Sequence, residues 1–170
     1  MKKLFMLVAL VAAFMGSVSA QNNTEFNKFN SVVYELNIRQ ATEEGTFAAA
    51  EKYLPELKNM GVDIVWLMPI NPIGVEERKG TLGSYYSIID YKAINPEFGT
   101  MEDFDKFLAT AHDLGLKVIL DWVANHTSPD ALWITERPAD WYVRDEQGNT
   151  IVQYDWTDIA KLNYNNADMR

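Results

Sequence analysis

Three short runs constrain the fold more than any other feature: 31–38 (SVVYELNI), 63–68 (DIVWLM) and 117–123 (KVILDWV), each nearly continuous in apolar residues. A strand with one wet face alternates apolar and polar residues. Runs without alternation suit strands covered on both sides, as in parallel sheets. Helical spacing lies between them. After Gly45, Thr46 is placed to cap a helix whose Phe47, Ala50, Leu54 and Leu57 recur at three- and four-residue intervals, with Gly61 at its end. Thr100 and Asp103 form a capping-box pattern ahead of Met101, Phe104, Phe107, Leu108, Ala111 and Leu114, and Gly115 closes that helix. The series strand, helix, strand, helix, strand predicts an α/β fold.

A doubly wound sheet and a (β/α)8 barrel both fit this series. No Gly-x-Gly-x-x-Gly follows any run, and long polar and aromatic loops follow runs two and three, where barrel enzymes build their sites. The barrel is favoured. The expected architecture is the first three β/α units of a (β/α)8 TIM barrel, followed from Ser128 by the start of a loop domain inserted after strand 3. Residues 129–170 hold Trp133, Trp141, Tyr142, Tyr154, Trp156 and Tyr164 with no strong helical or strand period.

Composition narrows the chemistry. With 15 Lys and Arg against 24 Asp and Glu the chain carries −9, a sign that repels nucleic acid and anionic membranes. Zero cysteine removes disulfides, thiolate nucleophiles and Cys-based metal sites. Residues 1–20 (MKKLFMLVALVAAFMGSVSA) combine Lys2 and Lys3, an apolar run too short to span a bilayer, and a small-x-small end. That is the pattern of a cleaved signal peptide, so the protein is expected to be exported, periplasmic or secreted, with no integral membrane segment. The expected layout is a signal peptide at 1–20, barrel at 21–128 and inserted loop at 129–170.

The densest polar cluster is Asp121-Trp122-Val123-Ala124-Asn125-His126-Thr127-Ser128, an acid near a strand end running into an amide, an imidazole and two hydroxyls. Such a group can bond a polyhydroxylated ligand or simply build a polar turn. His112 shares a polar helix face with Glu102, Asp105 and Asp113 and reads as a surface residue. Glu35, inside the first run, reads as a structural carboxylate requiring a partner.

DWVANHTS at 121–128, GVDIVWLMP at 61–69 and GSYYSIIDYKAINPEFGT at 83–100 stand in the order and spacing of motifs from the α-amylase family of glycoside hydrolases, which this sequence resembles across 31–128. The resemblance implies an enzyme acting on α-glucosidic bonds in starch-like α-glucans, with an α-glucan or malto-oligosaccharide as its partner. It implies that Asp121 shapes the sugar subsite beside the scissile bond, that His126 hydrogen-bonds that sugar and that a tyrosine stacks on it. Tyr85 replaces the family's usual glycine, so either ring could serve, and the distance to Asp90 favours Tyr86.

Asn125 matches an asparagine that ligates calcium in many relatives. Lys161 stands where an aspartate ligand is usual, which makes calcium doubtful and resembles the neopullulanase and cyclomaltodextrinase branch. Retaining hydrolysis needs two carboxylates about 5 Å apart. The family carries its aspartate and glutamate after strands 4 and 5, with a further aspartate after strand 7. The chain reaches Arg170 ahead of strand 4. No catalytic residue is expected within it, and as an amino-terminal fragment it is expected to be inactive alone. The alternative is a non-catalytic glucan-binding or scaffold relative.

Overall fold

The structure, a computed structural model, describes residues 30–170. The signal-peptide reading falls outside the described residues. Strands β1 (Val33–Leu36), β2 (Ile64–Leu67) and β3 (Lys117–Leu120) lie side by side in that order, all parallel. Val33, Ile64 and Lys117 share one register row, and Glu35, Trp66 and Ile119 another. Asp63 Oδ2 accepts from the Val32 amide at 2.9 Å and ties the starts of β1 and β2 together.

One face of this sheet carries the core. Leu36, Val65 and Leu67 pack with Leu54, Leu57, Phe98, Phe107 and Leu116. Phe47 meets Phe98, Phe104 and Phe107 edge-on at centroid distances of 6.4, 5.4 and 5.6 Å. The other face is open: Val33 is 50 % exposed and Ile119 45 %. Glu35 lies on this open face and is itself exposed, so the expected buried, partnered carboxylate is corrected.

The crossovers are helical, with one departure from expectation. A short helix, α1 (Ile38–Ala41), follows β1, and the single helix expected after Thr46 is two: α2 (Phe47–Glu51) and α3 (Leu54–Asn59). Pro55 explains the break. It has no N–H to bond the Glu51 carbonyl four residues back, and its ring crowds that carbonyl. Thr46 caps α2 through the Ala49 amide at 3.3 Å. The next helix, α4 (Met101–Asp113), carries the expected capping box, with Thr100 and Asp103 bonding reciprocally at 2.9 and 3.2 Å. That contact holds the Asp103 carboxyl below its usual range. His112 lies exposed on α4 as expected. Gly61 and Gly115, at φ +89° and +74°, end α3 and α4 in the left-handed region that other residues enter at a cost.

β3 ends at Leu120, three residues before the run does, because only Asp121 extends the ladder, its amide donating to the Leu67 carbonyl at 2.9 Å. Residues after Ser128 are less irregular than their sequence suggests. They form a short helix, α5 (Leu132–Glu136), a 3-10 turn at Ala139–Trp141, and β5 (Ala160–Lys161), which pairs antiparallel with β4 (His126–Thr127). Two-residue strands are too short to leave a period in sequence.

Candidate sugar-binding site

The candidate residues all sit beyond the carboxyl ends of the parallel strands. Asp121 follows β3 directly, Tyr86 is carried by the long loop after β2, and His126 opens β4. The structure brings them together through Tyr86. Its hydroxyl donates to Asp121 Oδ2 at 3.1 Å, and its carbonyl lies 3.1 Å from His126 Nε2. Burial, and then the Asp121 charge, hold the Tyr86 phenol above its usual value, which keeps its proton available for that bond.

The neighbouring Tyr85 is occupied elsewhere. Its ring lies under the Arg39 guanidinium at 4.4 Å, Arg39 pairs with Glu97 at 2.8 Å, and the ring packs against the core. Tyr86 is 37 % exposed and borders a cavity of about 340 Å3 with Lys79, Ser84, His126, Trp156, Asp158 and Ile159.

Both ring nitrogens of His126 are engaged. Nε2 faces the Tyr86 carbonyl, so it must carry the proton, and Nδ1 accepts from the Asn125 amide at 3.0 Å. This arrangement needs the neutral imidazole. Burial lowers the His126 pKa from its ordinary 6.5, and neither the Tyr86 carbonyl nor the Asp158 charge fully offsets it. A depressed folded pKa means that the unfolded chain binds the proton first, so stability is full above pH 6.5 and falls as pH drops below it. The urea midpoint is expected to decline between pH 7.5 and 5.5, and to do so less in His126→Gln, as a pH series on the two chains would show.

Backbone around the site is fixed by hydroxyls that the sequence did not flag. Tyr91 Oη lies 2.7 Å from the Val123 carbonyl and 2.6 Å from that of His126, and burial pushes its phenol far up. Tyr164 Oη donates to the Ala124 carbonyl. Ser87 Oγ donates to the Asp158 carbonyl at 2.7 Å. Tyr91→Phe removes the one proton shared between the Val123 and His126 carbonyls, and a loss of about 1–3 kcal/mol in denaturant unfolding is expected.

At Asn125 the structure engages the amide nitrogen. It donates to His126 and, at 3.1 Å, to Gln153 Oε1, and the β4–β5 register sets Lys161 opposite His126. Among the described residues no three His, Cys, Asp or Glu side chains gather to hold a metal. Nor is any helix among them long and apolar enough to cross a membrane.

The family described as "Alpha amylase, catalytic domain" matches residues 19–167. The chain belongs to the α-amylase family. Its fold is that of the (β/α)8 barrel of this family. An α-amylase from Lactobacillus plantarum superposes with a TM-score of 0.80 at 46 % identity, covering 82 % of this chain and 33 % of that one. A noncanonic maltogenic α-amylase from Thermotoga neapolitana gives 0.79 at 41 %, covering 85 % and 34 %. Among curated relatives, an α-1,4-glucan:maltose-1-phosphate maltosyltransferase from Salinibacter ruber is 37 % identical over 68 % of this chain and 20 % of its own length. The chain thus spans about a fifth of the curated relatives and a third of the solved ones.

Proposed function

We propose that this α-amylase family chain forms the sugar-holding part of an exported enzyme that hydrolyses α-glucosidic bonds in starch-like α-glucans with retention. The observation that carries the reading is the Tyr86–Asp121 pair, an exposed ring bonded to a carboxylate where β2 and β3 end. A flat apolar ring receives a sugar face, and a carboxylate with spare lone pairs accepts from its hydroxyls. Asp121 Oδ1 is the acceptor best placed for that. His126 contributes by orienting Tyr86 through its carbonyl, and reaches a sugar itself when Nε2 exchanges that carbonyl for a hydroxyl. The names of the relatives, α-amylases and an α-1,4-glucan transferase, support an α-glucan.

Double displacement needs a nucleophile and an acid/base about 5 Å apart. We place both on barrel strands outside the three described here. The chain by itself then binds glucan without cleaving it. Titration with maltohexaose and cellohexaose by calorimetry tests this. The α-linked sugar is expected to bind, the β-linked one about tenfold or more weakly, and starch to release no new reducing ends. Equal binding of both sugars, or binding of neither, would overturn the reading.

A further inference from the structure

We propose that Tyr154 and Trp156 form a second aromatic platform that holds the glucan beyond the Tyr86–Asp121 position, making the site selective for longer chains. The inference rests on the α-glucan reading above and adds a specificity determinant to it.

Residues 153–156 make a tight turn closed by the Trp156 amide on the Gln153 carbonyl at 3.2 Å. This turn is tied to the site at three points. Gln153 Oε1 accepts from Asn125, the residue that also holds His126 Nδ1. Lys79 Nζ donates to the Asp155 carbonyl at 3.0 Å and pairs with the buried Asp158 at 3.4 Å. The Trp156 ring stands edge-on to His126 at 6.1 Å and to Tyr154 at 5.0 Å. Trp156 borders the same cavity as Tyr86, so a ligand leaving Tyr86 meets Trp156 next, and Tyr154 stands beside Trp156.

Both rings are costly where they are. Tyr154 is 76 % exposed and Trp156 41 %, and both ring pairs are edge contacts, so neither is stacked face to face on its neighbour. Tyr154 also sits at φ +58°, a turn position where glycine or asparagine is the unstrained choice. A bulky, exposed, strained aromatic tethered beside a sugar site gains little from folding beyond its edge contact. It does gain from a ligand that covers it, and sugar rings with one apolar face suit two such flat surfaces in succession.

Calorimetric titration of the chain with maltose and with maltohexaose tests the platform. Trp156→Ala and Tyr154→Gly are each expected to weaken maltohexaose about tenfold and to leave maltose within about twofold. Trp156→Phe, which keeps a ring, is expected to retain most of the affinity. Tyr86→Ala is expected to weaken both sugars. Tyr154→Gly relieves the positive-φ strain, so an unlowered thermal midpoint shows that its lost affinity is not lost folding. The platform is overturned if Trp156→Ala and Tyr154→Gly bind maltohexaose as the unaltered chain does, or weaken maltose equally. If the unaltered chain binds neither sugar, the α-glucan reading falls, and the platform with it.

Discussion

Asp121→Ala is expected to weaken maltohexaose binding by about 10- to 150-fold, the equivalent of the 1.5–3 kcal/mol typical of a hydrogen bond to a charged group. Its thermal midpoint is expected to move little. The fold uses Asp121 through its backbone, whose amide extends the β3 ladder to Leu67, whereas the carboxylate bonds the half-exposed Tyr86. A second readout separates the site from general damage. Burial and the Asp121 charge both hold the Tyr86 phenol up, so removing the charge brings its ionisation down while burial keeps part of the elevation. Ultraviolet titration should show this lowered step in Asp121→Ala, with Tyr86→Phe identifying which tyrosine it belongs to. A variant that loses binding without moving the phenol would mean that the pair is not formed in solution.

Phe47→Ala is expected to cost about 3–5 kcal/mol, the range for deleting a fully buried aromatic ring. Phe47 has no exposed surface and touches Phe98, Phe104 and Phe107, so the vacancy would open where the loop after β2 meets α4. Of the elements that line it, α2 and α4 are pinned by caps at Thr46 and Thr100. Against a usual domain stability of about 5–15 kcal/mol, that is a large share. Urea denaturation would show it as a lowered midpoint with an unchanged slope. Val75→Ala, at 69 % exposure, serves as the control and should stay within about 0.5 kcal/mol.

What was legible in the sequence were the features with a period or a fixed offset. The three apolar runs became β1, β2 and β3, and the Thr46 and Thr100 caps fall where their residue types demand. Pro55 was legible too, but helical spacing alone hid it, since Phe47, Ala50, Leu54 and Leu57 keep the same face across the break between α2 and α3. Glu35 misled because a run buried on both faces in a closed sheet has one face open here. In the site, Tyr86, Asp121 and His126 came from motif order, and the structure joins them by hydrogen bonds. Tyr91, Gln153, Trp156 and Lys79 did not stand out. Their roles depend on contacts 28 to 76 residues away, and such pairings carry no local signal. The one hint was compositional, the density of aromatics after Ser128.

The central claim is that the strand ends hold an α-glucan between Tyr86 and Asp121. A crystal structure of the chain soaked with maltohexaose tests it most directly. The account predicts a glucose ring lying on the Tyr86 face with a hydroxyl on Asp121. Sugar density elsewhere on the chain, with the Tyr86 ring bare, would contradict it.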